Sequence, residues 1–319
     1  MTELAVPVWD SPTFAPEIAE TSSLPPPVER FRRARWRGQV ITGGERVLAE
    51  ETPVAFTYDG SSHAVMMATP CDLEDFAVGF SLSEGIVTAA NQIEALEVMP
   101  NELGIELRMS IAAAQREKYQ HRRRYLAGPT GCGLCGVESL DEACRPLRHS
   151  TSELRISAAS IHSALKDLSL NQFLNRQAQA LHAAAFCRPG GGLTVREDVG
   201  RHNALDKLAG ALARGGAAPE TGFLVLSSRV SIEMVQKAAA MGAAVIVAVS
   251  APTALAVRAC AAAGLTLVAV ARDDAFEVFT HPERIAGGSS WRAMHTAAAI
   301  AAADAANRGG ETPPPAARF

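Results

Sequence analysis

Three short apolar segments alternate with two amphipathic ones over residues 223–272, and this pattern constrains the fold more than any other feature. The apolar segments 223–226, 245–249 and 265–270 have the length of strands and are rich in Leu and Val. The amphipathic segments between them end at Gly242 and Gly264, as helices commonly do. Strand, helix, strand, helix, strand with short connections predicts a parallel sheet with right-handed crossovers, and therefore an α/β fold.

The carboxyl ends of these strands carry the candidate ligand-binding loops. Open α/β sheets bind ligands beyond these ends, and two of the loops also lead into helix N-termini, whose free N–H groups favour phosphate. Ser228 and Arg229 follow the first strand and could reach a phosphate group. We therefore predict a nucleotide-like ligand. The alternative is that the loop residues only begin helices and that Arg229 pairs with Glu233. The three loops comprise residues 227–231, 250–253 and 271–275.

The first half of the chain predicts a smaller α+β lobe. Alternating apolar residues on either side of Asp59-Gly60 indicate a hairpin. Thr69 is expected to cap a helix that ends near Gly85. Strict alternation over residues 105–111 predicts a half-buried strand.

Composition along the chain predicts four parts. Residues 1–29 and 308–319 are rich in Pro and small polar residues, so we expect a disordered extension and a disordered tail. Residues 30–150 form the predicted N-terminal lobe. Residues 151–307 form the predicted α/β lobe, which would hold the cofactor.

Charge and hydropathy exclude several classes of protein. The formal net charge of -4 and an aromatic content of 5% argue against a nucleic-acid binder. No apolar run is suited to crossing a bilayer, and the first residues do not have the pattern of a secretory signal. We therefore expect a cytoplasmic protein without membrane contact, in which the six cysteines serve catalysis or metal binding rather than disulfides.

Cys132 and Cys135 form a Cys-x-x-Cys pair within a glycine-rich loop that follows a basic segment. Three functions compete for this pair: a structural zinc site, a thioredoxin-like redox pair, and a nucleophilic or sulfur-carrying cysteine. A zinc site usually needs four ligands, and a redox pair usually follows a strand. The other four cysteines are scattered and no strand-like segment precedes the loop, so we favour the third function. The four are Cys71, Cys144, Cys187 and Cys260.

A zinc-dependent deaminase would join an H-x-E segment to a later P-C-x-x-C segment. His281-Pro282-Glu283 fits the first segment, but it comes after the cysteine pair rather than before it. The order is therefore wrong for a deaminase, and we predict no metal ligands.

Residues 196–207 read Arg-Glu-Asp-Val-Gly-Arg-His-Asn-Ala-Leu-Asp-Lys and form the second candidate site. Continued as a helix, the segment places its leucines on one face and its polar side chains on the opposite face. The polar face could bind a ligand or tune a proton, or it could simply be solvated. His182 is expected at the end of a polar helix, and a lone histidine is more often structural. The polar face comprises His202, Asn203, Asp206 and Lys207, and the candidate ligand residues are Arg201, His202 and Asn203.

Five segments resemble the formate dehydrogenase accessory sulfurtransferases, the FdhD family. Two of them lie at 196–210 and 226–257, and their most specific parts are Glu-Asp-Val-Gly-Arg-His-Asn at 197–203 and Ser-Ser-Arg at 227–229. The others lie at 66–86, 131–140 and 280–284. Together they span nearly all of the chain between the two tails.

The resemblance implies a cytidine-deaminase-like fold without the deaminase zinc chemistry. It also implies a sulfurtransferase that takes persulfide sulfur from a cysteine desulfurase. The sulfur would pass to the bis-guanine-dinucleotide molybdenum cofactor before the cofactor enters formate dehydrogenase. Cys132 corresponds by position to the persulfide-carrying cysteine, and Cys135 to its partner. The family's cofactor-binding position corresponds to Val270, Ala271, Arg272, Asp273, Asp274 and Ala275.

Other interpretations stay open at this point. The two carboxylates of Asp273 and Asp274 would repel a pyrophosphate unless they point away from it or meet the guanine base. A chaperone that binds the cofactor without carrying sulfur is the main alternative function. Apolar, Ala-rich helix faces also make a homodimer plausible.

Overall fold

The computed structural model describes residues 23–123, 147–272 and 274–287 of the 319-residue chain. Its strands are β1 (Val28–Arg37), β2 (Val40–Ala49), β3 (Thr52–Tyr58), β4 (Ser61–Ala68), β5 (Ile93–Asn101), β6 (Gly104–Ile111), β7 (His182–Cys187), β8 (Leu193–Asp198), β9 (Phe223–Leu226), β10 (Val245–Ala248), β11 (Thr266–Arg272) and β12 (Ala275–Thr280). Its α-helices are α1 (Leu73–Ser83), α2 (Ala113–Arg123), α3 (Ala158–Asn171), α4 (Phe173–Ala178), α5 (Arg201–Arg214), α6 (Ile232–Met241) and α7 (Ala254–Ala262). The protein therefore has a mixed α/β architecture.

A six-stranded sheet forms the centre of the second half, in the order β12-β11-β10-β9-β7-β8. Strands β9, β10 and β11 are parallel and joined through α6 and α7, which confirms the predicted strand–helix–strand–helix–strand unit. Strand β7 is antiparallel to both β9 and β8. As a result β8 runs in the same direction as β9, and its carboxyl end lies at the same edge of the sheet.

Both faces of this sheet are covered by apolar side chains. On one face Leu224, Leu226 and Ile246 belong to a cluster that includes the buried residues of α5, α6 and α7. On the other face Phe223 and Val225 belong to a cluster with the buried residues of α3. Burial on both faces explains why these strands are continuously apolar in sequence rather than alternating.

A four-stranded sheet in the order β4-β3-β6-β5 carries the N-terminal lobe. Strands β3 and β4 form the predicted antiparallel hairpin, and β6 is the predicted strand over residues 105–111. Helix α1 packs on this sheet through Phe76 and Phe80, whose rings contact Phe56. Where the lobe begins and ends along the chain stays a prediction.

Helices α1 and α5 cross at a pair of glycines and join the two halves of the protein. A Cβ on Gly79 would lie 1.7 Å from the carbonyl oxygen of Asp206, and one on Gly210 would lie 1.8 Å from that of Asp75. The helix backbones are therefore in direct contact, which only glycine allows. Helix α5 is in consequence buried on two sides, between α1 and the six-stranded sheet.

Two expectations about local structure were wrong. Helix α1 begins after Asp72, which has φ 51°, and not after Thr69. Thr69 instead donates its backbone N–H to Asp198 and accepts from the N–H of Val199. His182 is the first residue of β7 rather than the end of a helix, because the alanines that follow it are buried between β8 and β9.

Two further features lie outside these cores. Strands β1 and β2 form a two-stranded antiparallel sheet, which we call the ribbon, and most of its residues are exposed. Strands β7 and β8 are joined by an exposed turn in which Gly190, Gly191 and Gly192 all have positive φ. Within the described part of the chain, no helix is long and apolar enough to cross a membrane.

Candidate functional site

The carboxyl ends of β8, β9, β10 and β11 meet along one side of the six-stranded sheet, which we call the strand-end edge. Backbone and side-chain hydrogen bonds hold neighbouring ends together. Ser227 Oγ accepts from the N–H of Ala183 at 2.8 Å, and Arg272 Nε donates to the carbonyl oxygen of Val249 at 3.3 Å. The sequence predicted this edge for β9 to β11, and the structure adds the start of β7 and the end of β8.

Helix α5 begins at the strand-end edge and can receive an anion there. Its N-cap is Gly200, and no side chain of the described residues caps the helix. Arg201 is the first helical residue, and its Nε atom is buried without a hydrogen-bond partner among the described residues. A helix N-terminus beside an unsatisfied guanidinium N–H suits a phosphate oxygen, which would meet both.

His182 and His202 flank Arg201 at this edge. Burial lowers the pKa of both imidazoles, the nearby Arg201 charge lowers it further, and carboxylates oppose the shift. His202 Nε2 lies 3.0 Å from Glu233 Oε2, which also accepts from Ser231 Oγ. Glu233 therefore pairs with His202 and not with Arg229, so the Arg229–Glu233 alternative was wrong.

A buried ionic network lies immediately behind the edge. Lys207 Nζ lies 2.6 Å from Asp198 Oδ2, and both side chains are 0% exposed. Lys207 also donates to the carbonyl oxygen of Thr69, and Asp198 accepts from the N–H groups of Thr69 and Gly200. The network fixes the start of α5 to the segment that precedes α1.

The polar face of α5 is thus divided between two roles. His202 is partly exposed at the edge, but Asn203 and Asp206 are buried together with Lys207. Asn203 Nδ2 donates to the carbonyl oxygen of Met67 and to Asp198, and Asp206 binds Lys237 and Ser83. The expectation that these residues share one ligand-binding face was wrong, because α1 covers most of that face.

Some of the remaining predicted ligand residues are buried and others are exposed. Ser228 and Ala271 are buried, and Ser228 Oγ donates to the carbonyl oxygen of Arg229. Val270 has φ 52°, a strained conformation for a β-branched residue, and strain of this kind is common at functional sites. Arg229, Arg272, Asp274 and Ala275 are exposed at or next to the strand ends.

Three predicted residues, Cys132, Cys135 and Asp273, lie outside the described residues. Cys71, Cys187 and Cys260 are described, and all three have free thiols. In the ranges 23–123, 147–272 and 274–287, no three His, Cys, Asp or Glu side chains are grouped so that they could hold a metal ion.

Residues 49–286 match the model of the FdhD/NarQ family, which covers well over half of the chain and includes the whole strand-end edge. The chain belongs to the FdhD/NarQ family.

Curated members of the FdhD/NarQ family resemble it along nearly their full length. The sulfur carrier protein FdhD of Agrobacterium fabrum is 48% identical over 258 residues, which are 80% of this chain and 95% of that protein. The sulfur carrier protein FdhD of Cupriavidus necator is 49% identical over 277 residues, 86% of this chain and 96% of that protein. A crystal structure assigned to a formate dehydrogenase accessory protein of Desulfotalea psychrophila has a TM-score of 0.65 and 25% identity. That match covers 82% of this chain and 100% of the other.

The lowered pKa values of two histidines predict that the fold of this FdhD/NarQ protein is sensitive to acid. Because the pKa values of His182 and His202 lie below the ordinary value of 6.5, the unfolded state binds protons at a higher pH than the folded state. Stability is therefore expected to fall as the pH drops through about 6.5 towards the lower folded-state values. Urea unfolding at about pH 7.5 and about pH 5.5 measures the loss.

The double variant His182→Gln/His202→Gln is expected to lose less stability than the wild type over the same pH range. The difference should be at most about 1 kcal/mol, because both side chains are partly exposed and solvent screens their charges. Equal losses in wild type and double variant would show that other groups cause the acid sensitivity.

Proposed function

We propose that this protein is a sulfur carrier that serves the maturation of formate dehydrogenase. Relatives named sulfur carrier protein FdhD match it at nearly half identity over most of the chain. The Cys132-x-x-Cys135 pair lies within the span matched to the family. We also propose that it works in the cytoplasm, where reducing conditions keep cysteines available for sulfur transfer.

The sulfur step can be written with Cys132 as the acceptor. Its thiolate attacks the outer sulfur of the persulfide on a cysteine desulfurase, the donor's S–S bond breaks, and the donor cysteine leaves as a thiolate. Cys132 then carries the persulfide. Attack by the Cys135 thiolate on the inner sulfur would form a Cys132–Cys135 disulfide and release hydrosulfide at the acceptor. A thiol reductant would then restore the pair.

The proposed acceptor is the bis-guanine-dinucleotide molybdenum cofactor, which would be a substrate of this protein rather than a resident group. The observation that carries this part of the proposal is the α5 N-terminus, where the buried Arg201 Nε has no partner among the described residues. A pyrophosphate of the cofactor would satisfy it, with Arg229 and Arg272 close to the ends of neighbouring strands. Asn203, Ser228 and Ala271 are buried, so in this proposal they shape the site rather than touch the ligand.

Two finer expectations belong to the same proposal. The first is that the fold is cytidine-deaminase-like, as the resemblance implies. Comparison of the strand order β12-β11-β10-β9-β7-β8 with that of a cytidine deaminase tests it. The second is that the protein forms a homodimer, which would bring together two nucleotide sites for one cofactor. Sedimentation of the purified protein measures its oligomeric state.

Sulfur loading tests the carrier function directly. Incubation with a cysteine desulfurase and cysteine should add one sulfur atom to the wild type, visible by intact-protein mass spectrometry and removed by reductant. Cys132→Ala should abolish the addition, whereas Cys260→Ala, at a buried thiol in α7, should load normally. If Cys132→Ala loads normally, another cysteine carries the sulfur. If neither protein gains sulfur while the desulfurase is itself loaded, or if Cys132→Ala supports full formate dehydrogenase activity in cells, the protein is better described as a cofactor-binding chaperone.

Arg201→Gln tests the nucleotide part. Because a hydrogen bond to a charged group contributes about 1.5–3 kcal/mol, the variant should bind GDP roughly tenfold to a hundredfold more weakly in calorimetry. The matched control is Arg188→Gln, at an exposed arginine that follows β7 at the opposite edge of the sheet. Equal weakening by both substitutions would place the nucleotide elsewhere.

A further inference from the structure

The ribbon is strongly basic although the chain as a whole is acidic. Between Val28 and Ala49 it contains six arginines and two glutamates, against a net charge of -4 for the full sequence. The match to the family model begins at residue 49, so all of the ribbon except Ala49 lies outside the matched segment. The family model therefore does not account for the positive charge of the ribbon. The six arginines are Arg30, Arg32, Arg33, Arg35, Arg37 and Arg46.

Carboxylates of the described residues neutralise little of this charge. Arg30 pairs with Glu45 at 3.8 Å, but both side chains are largely exposed. Arg46 donates to the neutral side chain of Gln179. Arg33 and Arg35 form no ion pair with a described carboxylate and line an open hollow of about 450 Å³ beside Trp36, which is 62% exposed. An anionic occupant would supply the missing charge.

The backbone of the ribbon is also incompletely paired. Among the residues that the structure describes, β1 and β2 pair only with each other, so each has one edge without a described neighbouring strand. The Arg46–Gln179 bond holds β2 against the segment after α4, which leaves β1 as the edge without a partner in the described part of the chain. Exposed strand edges bind extended polypeptides, and an isolated two-stranded sheet has little stability of its own.

We infer that the ribbon is a docking strip for an extended acidic segment of a partner protein, which adds as a third strand beside β1. The arginines are distributed along the full strand, which fits an extended polyanion rather than a compact ligand. A nucleic acid would satisfy the arginines but not the open N–H and C=O groups of β1. A polypeptide satisfies both, and this inference does not depend on the proposed sulfur-carrier function.

Two nearer occupants fit less well. A second copy paired through β1 would bring its arginines next to those of the first, and like charges on adjacent strands repel. Residues 1–22 are acidic but connect to β1 through Pro25, Pro26 and Pro27. Consecutive prolines favour an extended chain, which disfavours the reversal of direction that pairing with β1 would require.

Peptide binding to the full-length protein tests the inference. The probe is a labelled ten-residue peptide of alternating glutamate and valine, which matches β1 in length, with fluorescence anisotropy as the readout. Arg33→Glu/Arg35→Glu should weaken binding roughly tenfold or more. The control Arg155→Glu/Arg258→Glu makes the same change of net charge at exposed sites outside the ribbon and should leave binding unchanged.

Two further probes separate strand addition from simple charge attraction. The same peptide with every amide N-methylated keeps its charge but cannot donate backbone hydrogen bonds, and it should bind at least about tenfold more weakly. Equal binding of both peptides overturns the inference, as does equal binding to both double variants. It is also overturned if duplex DNA binds more tightly than the peptide. Finally, a wild-type dimer that Arg33→Glu/Arg35→Glu dissociates would show that a second copy occupies the strip.

Discussion

Lys207→Met is expected to destabilise the fold by about 3–5 kcal/mol, because it leaves the Asp198 carboxylate buried without its cation. Both side chains of the pair are 0% exposed, so water cannot take the place of the lost ammonium group. Since most domains have a total stability of about 5–15 kcal/mol, the loss would be a large part of the whole. Denaturant unfolding followed by circular dichroism measures it.

The control for this change is Lys166→Met, at an exposed lysine of α3. It should change the free energy of unfolding by no more than about 0.5 kcal/mol. Adding Asp198→Asn to Lys207→Met should recover part of the loss, because the uncompensated charge is then removed. If Lys207→Met is no more harmful than Lys166→Met, the buried ion pair contributes little to the stability of the fold.

Gly79→Ala is expected to destabilise the protein by about 3 kcal/mol, at the upper end of the usual range for overpacked sites. The added Cβ would lie 1.7 Å from the carbonyl oxygen of Asp206 and 2.7 Å from the backbone nitrogen of Gly210. Both neighbours are backbone atoms, so rotation of a side chain cannot relieve the clash. Helices α1 and α5 would have to separate, which disturbs the network around Lys207.

Gly43→Ala in the ribbon is the matched control, because a Cβ at that position has no atom within 4 Å. It should alter the melting temperature by only a degree or two, whereas Gly79→Ala should lower it by many degrees. A similar small change in both variants would mean that the two helices tolerate a wider separation than their backbone contact implies.

The sequence predicted the three parallel strands of the central sheet, because these strands are buried on both faces. Strand β9 covers residues 223–226 as expected, and α6 and α7 end close to Gly242 and Gly264. Four consecutive apolar residues bounded by serine or glycine have few other stable arrangements. The position of the strand-end edge followed directly from this pattern.

The role of α5 could not be predicted in the same way. Its leucines correctly indicated one buried face, but the burial of Asp206 and Lys207 depends on α1, which lies more than a hundred residues earlier in the chain. The residues around α5 in the sequence do not indicate which helix, so far away along the chain, packs against it. The two glycines at 79 and 210 were the available signal, since each interrupts an otherwise helical segment.

The sequence did not predict the ribbon, because its strands do not show the usual alternation of apolar and polar residues. Arginines and the Gly43-Gly44 pair occupy positions where apolar residues would mark a strand, and most side chains remain exposed. Val40, Ile41 and Trp36 on either side of Gly38 gave a weak hairpin signal. The Cys132 loop, which the sequence identified most sharply, stays a prediction.

The exposed turn between β7 and β8 is a suitable site for attaching this protein to a surface. Its three glycines at positive φ have open space around them and lie at the end of β7 opposite His182. At about 3.4 Å per residue, the six residues of β7 separate the turn from the strand-end edge by roughly 17–20 Å. A short tag inserted there would tether the molecule to a sensor surface with its strand-end edge facing the bulk solution. Nucleotide and desulfurase could then be delivered to oriented molecules without hindrance from the support.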